Sequence, residues 1–286
     1  MRAAINVSGQ YRFHGSGVSG RLSGRSRVTI RRDTLASMSL TLMAAGDGET
    51  SDPPMALELS ADPRPGRRFE PTVEKSLDGD LLTLAMNLPS ASRGVTITRE
   101  FPGGRGVADI VAVTRWQDGL RKRLSMPQPF LRNETDCAVV AALSANQTRS
   151  ARSVGKRLGM SDEQVVRRAR RLAASGHVEA CGSGFRRAPG LEPIGRSYAL
   201  EAKVSDWQKG LSQALRYSTW CDAAAVVLLR PPRDLGELRA RCSALGVGLG
   251  VDGRWVVRPR IGRPNEGLRL ALSEHWARLM AESELF

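Results

Sequence analysis

The spacing of apolar and polar positions along this chain predicts an α/β domain. Leucines at helical spacing predict a helix at 77–88 that Pro89 ends. Apolar or β-rich runs predict six strands, at 95–101, 106–113, 196–204, 223–229, 247–251 and 255–257. Further helices are predicted from Ser205, at 234–244 and at 268–285. Helices and strands in this order require a mixed sheet covered by helices on both faces.

A second pattern separates the two halves of this domain. Residues 133–190 predict three helices followed by a small hairpin, with Gly159 and Gly176 closing the second and third helices. Ser161 and Gln164 have the spacing of a capping box, which marks the start of the third helix.

The first 71 residues are rich in Gly, Ser, Arg and Pro and nearly lack aromatic residues, so we expect a disordered tail. Its arginines form either a basic arm that contacts phosphates or a solvated tail without a role; they are Arg21, Arg25, Arg27, Arg31 and Arg32.

The formal net charge of +14 and the pI near 10.8 imply an anionic partner. Nucleic acid is the first candidate and an anionic membrane surface the second. No apolar run has the length of a transmembrane helix, and the N-terminus lacks the apolar core of a secretory signal. We therefore expect a cytoplasmic protein, no membrane partner, and reduced cysteines, since the four thiols share no metal-binding spacing.

Candidate chemistry concentrates on two predicted strands. Glu201 and Lys203 are two positions apart, so their side chains leave the same face of one strand. Asp109 interrupts the apolar strand at 106–113, where burying a carboxylate is costly unless a charge or a metal offsets it. The plainer alternative is an ion pair of Asp109 with Arg99 or Arg105.

The helix after Glu201 adds to this pattern. Ser205 and Gln208 have the spacing of a capping box at its start. Gly210, Gln213 and Tyr217 follow on the helix. Its polar face either contributes to a site or simply meets water.

The Glu201-x-Lys203 strand, the G-x-x-Q-x-x-x-Y helix and the words G-V-A-D-I-V around Asp109 resemble the PD-(D/E)XK nuclease superfamily and its RecB-type members. The resemblance implies a restriction-endonuclease-like core, a central mixed sheet flanked by helices. It implies that Asp109 and Glu201 bind Mg²⁺ or Mn²⁺, with Glu100 as a further ligand. Lys203 would orient or deprotonate the attacking water or stabilise the charged phosphate, and Gln213 and Tyr217 would position the metal site or the DNA backbone.

The superfamily usually passes from the Asp strand to the E-x-K strand within some tens of residues, whereas Asp109 and Glu201 are far apart in this chain. We interpret residues 133–190 as an insertion, with linkers at 116–131 and 188–194. The competing interpretation makes Glu192 the missing acid and the first half a separate domain.

The inserted region is similar to winged-helix DNA-binding domains, whose third helix would enter the major groove. The DNA-binding candidates are Arg167, Arg168, Arg170 and Arg171 on this helix and Arg186 and Arg187 on the hairpin. Two alternatives stay open: these arginines form a solvated face, or the domain binds protein.

These observations predict a tail at 1–71, a nuclease-like core in two segments at 72–132 and 191–262, a winged helix at 133–190 and a last helix at 263–286. The predicted function is a metal-dependent DNA nuclease in repair, restriction or defence against mobile elements, with a homodimer suited to paired cuts. The alternatives are a non-catalytic winged-helix transcriptional regulator and an RNA-processing factor; few aromatic residues for base stacking disfavour the last.

Overall fold

The computed structural model describes residues 77–283 and, earlier in the chain, the backbone of six short strands. These are β1 Ala3–Asn6, β2 Gln10–Phe13, β3 Ser19–Arg21, β4 Val28–Ile30, β5 Leu40–Met43 and β6 Ala56–Ser60. The rest of the predicted tail, and the side chains of its basic arm, lie outside the described residues.

Nine strands follow: β7 Val95–Gly103, β8 Gly106–Thr114, β9 Arg149–Ser150, β10 Val178–Cys181, β11 Gly184–Arg187, β12 Arg196–Lys203, β13 Ala223–Leu228, β14 Gly248–Val251 and β15 Arg254–Val257. The helices of the same part of the chain are α1 Asp78–Met86, α2 Gln117–Leu124, α3 Glu134–Ala142, α4 Ala151–Leu158, α5 Asp162–Ala174, α6 Trp207–Tyr217, α7 Leu235–Leu245 and α8 Glu266–Glu282. A single 3₁₀ turn, Ala91–Arg93, follows α1.

The central sheet is mixed, which confirms the predicted α/β fold with helices around a sheet. Its strand order is β7-β8-β12-β13-β14-β15, and β6, β5 and β4 extend it beyond β7. β12 is antiparallel to β8 and parallel to β13. The two strands that carry the candidate acids are therefore neighbours at the centre of the sheet.

Each face of the sheet has its own hydrophobic core. On one face, Leu81 and Leu84 of α1 pack with Ile110 and Leu200. On the other face, helices α2, α6, α7 and α8 pack on the alternate positions of the same strands. The central strands β12, β13 and β14 are buried almost throughout, so both of their faces are covered.

Helices α3 to α5 and strands β9 to β11 form a separate layer, which we call the inserted module. It lies in the chain between β8 and β12, which pair directly, so the interpretation of residues 133–190 as an insertion agrees with the sheet topology. Its core includes Val140, Val154, Val165 and Phe185. The capping box of Ser161 and Gln164 is present at the start of α5.

The predicted linker at 116–131 is wrong in part, because α2 occupies residues 117–124 of it. Trp116 and Leu120 are buried against the sheet, and Arg123 is buried beside them. The two prolines that indicated a linker, Pro127 and Pro129, follow the helix rather than replace it. This segment is a part of the core.

Helix α8 packs against both parts of the molecule. Leu270 belongs to the core of the inserted module, whereas Leu272 and Trp276 belong to the core under the sheet. Between them, Glu274 accepts two hydrogen bonds from the Arg123 guanidinium, at 2.7 and 2.8 Å, and both side chains are 2% exposed. One helix thus fixes the module to the sheet.

Within the described ranges, no helix is both long enough and apolar enough to cross a membrane. The four cysteines are free thiols.

Candidate active site

Asp109 and Glu201 come from neighbouring strands. The β8–β12 ladder ends at the pair formed by Leu200 and Ile110. The next residues along the two strands, Glu201 and Asp109, therefore lie opposite each other. Because alternate residues of a strand share a face, both acids lie on the side of Ala199 and Val111, which α6 covers. The structure therefore brings together the two acids that the sequence separates by the inserted module.

Glu201 is buried and its carboxylate receives hydrogen bonds from three side chains. Lys203 Nζ lies 2.7 Å from Oε1, and the Gln213 amide donates to the same oxygen. The Tyr217 hydroxyl lies 2.7 Å from Oε2 and also 2.7 Å from the Val107 carbonyl oxygen. The E-x-K strand and the Gln-Tyr helix thus meet at the Glu201 carboxylate.

The position of α6 depends on a glycine. A Cβ at Gly210 would lie 2.9 Å from Val226 Cγ1 and 3.1 Å from Lys203 Cγ, so only glycine lets the helix lie this close to β12 and β13. The alternative in which the polar face of this helix meets water is wrong for Gln213 and Tyr217, which are 7% and 1% exposed.

The start of α6 differs from the prediction by one residue. Asp206, rather than Ser205, is the N-cap, and its side chain accepts a hydrogen bond from the Lys209 backbone N–H at 3.0 Å. A carboxylate at this position also interacts favourably with the helix dipole.

Asp109 accepts a hydrogen bond from the backbone N–H of Ala202 at 2.8 Å. Burial raises the pKa of this carboxyl to about 7, and the negative charge of Glu201 adds to the increase. Arg99, one of the two arginines considered as its partner, instead forms an ion pair with Asp78 at 2.9 Å. The contact of Arg99 with Asp78 therefore gives no support to an ion pair between Arg99 and Asp109.

Glu100 lies on β7 across from Asp109, where the ladder skips a pair between Arg99–Ile110 and Phe101–Ala108. Its φ of 49° is unusual for a residue with a side chain. Among the described residues, no three Asp, Glu, His or Cys side chains are grouped closely enough to hold one metal ion. Glu100 as a third ligand beside Asp109 and Glu201 therefore stays a prediction.

The remaining pair of acids still fits a divalent ion. Mg²⁺ takes oxygen ligands, keeps several waters, and is commonly bound through one or two carboxylates together with substrate phosphates. Asp109 and Glu201 supply two such carboxylates on one sheet face.

The six arginines of the inserted module differ in their contacts. Arg168 and Arg171 of α5 pair with Asp136 of α3, at 3.0 and 2.6 Å. Arg186 pairs with Glu179 at 2.6 Å, and Arg187 pairs with Glu192 at 3.2 Å. Arg167 and Arg170 are exposed and form no ion pair with another described residue.

The ion pair of Glu192 bears on the competing interpretation of the acids. Glu192 is held by Arg187 and lies 4.0 Å from Lys122, at the surface. Glu201 and not Glu192 contacts Lys203. The interpretation of Glu192 as the missing acid is wrong.

A cleft of about 490 Å³ lies beside the two acids, between the β7–β8 turn, the start of α3 and helix α8. Its polar side chains are Arg132, Glu134, His275 and Arg278. The sequence did not predict this cleft, because its walls come from three distant segments. The glycines at 103, 104 and 106 were the available signal, since they allow close approach to the turn.

No protein-family model, curated protein or solved structure matches this chain.

Proposed function

We propose that this protein is a metal-dependent DNA nuclease that hydrolyses phosphodiester bonds at the Asp109–Glu201 site. The observation that carries the proposal is the contact of Lys203 with Glu201, beside Asp109 on the next strand. Burying two acids and a lysine on one face of two neighbouring central strands is costly for stability, which favours a catalytic reason for their presence.

The order of the elements supports the same proposal. Helix α1, the hairpin β7–β8, strand β12, helix α6 and the parallel strand β13 follow one another, interrupted only by α2 and the inserted module. This is the order we expect for a restriction-endonuclease-like core, and the motif residues occupy the matching strands and helix.

In this mechanism Asp109 and Glu201 would hold the ion. When bound, Mg²⁺ or Mn²⁺ supplies Lewis-acid stabilisation of the charge that develops on the scissile phosphate. Tyr217 and Gln213 fix the orientation of Glu201. Lys203 Nζ is held by Glu201 and by the Ala202 carbonyl oxygen, at 2.7 and 2.9 Å, from where it orients the attacking water or stabilises the phosphate. Burial raises the pKa of Asp109 to about 7, so this carboxyl would have to lose its proton before it could bind an ion.

We further propose that the inserted module is a winged helix that binds DNA. Three helices and a three-stranded sheet, in the order α3-β9-α4-α5-β10-β11, support this assignment. Arg167 and Arg170 are the best candidates for phosphate contacts because no carboxylate neutralises them in the described part of the chain.

Plasmid nicking tests the nuclease. Wild type with Mg²⁺ or Mn²⁺ is expected to nick supercoiled DNA, and Lys203→Ala and Asp109→Asn are each expected to lower the rate about a hundredfold or more. Lys209→Ala is the control, because Lys209 is an exposed lysine of α6 outside the cluster. Nicking by both site variants at the wild-type rate would contradict the assignment of the site.

The second candidate is a non-catalytic DNA-binding regulator. One observation favours it: Glu201 is already satisfied by Lys203, Gln213 and Tyr217 without an ion. Binding of DNA by the wild type, with no nicking over a range of Mg²⁺ and Mn²⁺ concentrations, would support this function instead.

A further inference from the structure

We propose that the cleft beside the two acids binds one unpaired nucleotide of the substrate strand, so that DNA is single-stranded next to the cut. This inference rests on the proposed nuclease function and names its substrate class.

The cleft and the candidate site share a wall. Val107 lines the cleft, and its carbonyl oxygen lies 2.7 Å from the Tyr217 hydroxyl, which also contacts Glu201. Gly106 also lines the cleft, and the Tyr217 ring lies 3.3 Å from the position of a Cβ at Gly106. A strand with a phosphate at Glu201 therefore has a neighbouring nucleotide within reach of the cleft.

The side chains of the cleft are mixed in charge, which suits a nucleotide better than a bare anion. Arg132 and Arg278 offer guanidinium groups for a phosphate. Glu134 places a carboxylate against the β7–β8 turn, with its Oε1 only 2.6 Å from the position of a Cβ at Gly104. A carboxylate repels phosphate but accepts hydrogen bonds from the amino group of cytosine.

The two arginines are available for a ligand. Arg132 is exposed and forms no ion pair with any residue that the structure describes. Among the described residues, the ion-pair partner of Arg278 is Glu282 on the next turn of α8, and that carboxylate is half exposed. Exposed pairs of this kind contribute little, so a phosphate can replace Glu282.

The size of the cleft favours the binding of an unpaired base. Its volume of about 490 Å³ falls within the usual range for a small-molecule site. A base in a duplex is stacked and paired, and it enters a walled site only when it is single-stranded or flipped out. The His275 ring, held 5.0 Å from the Phe101 ring, gives the cleft an aromatic side against which a base can stack.

Calorimetric titration of the metal-free wild type with dCMP, dTMP and deoxyribose 5-phosphate tests the site directly. We expect dCMP to bind about tenfold more tightly than deoxyribose 5-phosphate, which lacks the base, and more tightly than dTMP, which lacks the amino group. Equal affinities for dCMP and deoxyribose 5-phosphate, or no binding of dCMP, would overturn the inference.

Two variants locate the binding. Ala271→Leu fills the cleft and is expected to weaken dCMP binding about tenfold, whereas Ala281→Leu, an exposed position on the same helix, leaves it unchanged. Arg132→Ala changes an exposed residue and so preserves the fold; it is expected to weaken both dCMP and deoxyribose 5-phosphate. Unchanged dCMP affinity in folded Ala271→Leu or in Arg132→Ala would show that the nucleotide binds elsewhere.

Cleavage separates this inference from the proposed function. Wild type is expected to cut a single-stranded oligonucleotide faster than the same sequence in a duplex, and Ala271→Leu is expected to lose this preference. If wild type cuts both forms equally, the cleft inference fails while the nuclease proposal stands. If metal never produces cleavage, the nuclease proposal fails, and the assignment of the cleft to a substrate strand fails with it.

Discussion

The neighbouring carboxylates of Asp109 and Glu201 differ in the number of hydrogen bonds that they accept. Glu201 has three side-chain donors, whereas Asp109 has one backbone N–H and faces the negative charge of Glu201. A buried carboxylate with so few partners favours its protonated form, which explains the rise of its pKa. A divalent ion between the two acids would supply the missing positive charge.

This imbalance makes stability depend on pH. In the folded, metal-free protein Asp109 keeps its proton up to about pH 7, whereas in the unfolded chain it loses it near the ordinary value of 3.8. Because the folded state binds more protons over this window, the Asp109 contribution lowers the free energy of unfolding as pH rises from about 4 to about 7.

Asp109→Asn removes the titrating group. Its stability relative to wild type is expected to increase with pH over that window, by at most about 4 kcal/mol. Urea denaturation in EDTA at several pH values from 4 to 8 measures this difference. A difference between variant and wild type that stays constant with pH would show that Asp109 titrates normally.

The packing of α6 on β12 depends on Gly210. Alanine at this position favours the helix intrinsically, but its Cβ would press on Val226 and Lys203 and move Gln213 and Tyr217 away from Glu201. Gly210→Ala is therefore expected to lower the nicking rate about tenfold to a hundredfold. Gly79→Ala in α1 is the matched control, because its Cβ would meet nothing within 4 Å. Full activity of Gly210→Ala would contradict the close-approach argument.

Helix α5 carries two kinds of arginine. Replacing Arg167 and Arg170 with Ala is expected to weaken DNA binding for all sequences and to lower the log–log salt slope by about 1 to 2, with little change in stability. Replacing Arg168 and Arg171 leaves buried Asp136 without its partners, so a loss of stability of roughly 1–3 kcal/mol is expected.

Fluorescence anisotropy at several salt concentrations and urea denaturation measure the two effects. If both double variants lose DNA affinity equally and neither loses stability, the distinction between the two kinds of arginine is wrong.

Local sequence patterns predicted most elements, because periodicity, caps and turn residues act over a few positions. The capping box at Ser161 and the helix end at Gly159 are examples. The sequence did not predict helix α2, because two prolines follow it and half of its eight residues are charged. The sequence also did not predict the cleft, because the cleft forms only when distant segments pack together. The pairing of Asp109 with Glu201 was predicted through the resemblance of the motifs, and spacing alone would not have predicted it.

At the level of the whole molecule, the buried ion pair of Arg123 and Glu274 joins α2 to α8. Arg123 also donates to the carbonyl oxygens of Gln128 and Pro129, and Glu274 also accepts from the Leu131 backbone N–H. The pair therefore fixes the segment that leads into the inserted module, and it holds the proposed DNA-binding helix at a set distance from the two acids.

Breaking this pair is expected to be costly. Glu274→Ala leaves a buried guanidinium without its partner and should lower the free energy of unfolding by about 3–5 kcal/mol. Glu237→Ala, which removes an exposed pair with Arg241 in α7, should cost less than about 1 kcal/mol. Chemical denaturation of both variants measures the contrast, and similar losses in the two would contradict the structural role of the buried pair.

Helix α8 completes two hydrophobic cores, yet the ribosome synthesises it after every other element that it contacts. During translation, the cores of the sheet and of the inserted module stay incomplete until Trp276 and Leu270 emerge from the exit tunnel. Neither can reach its final packing earlier, so a nascent chain that stops before α8 leaves both cores open. The order of synthesis thus delays the final packing of both cores until α8 has left the ribosome.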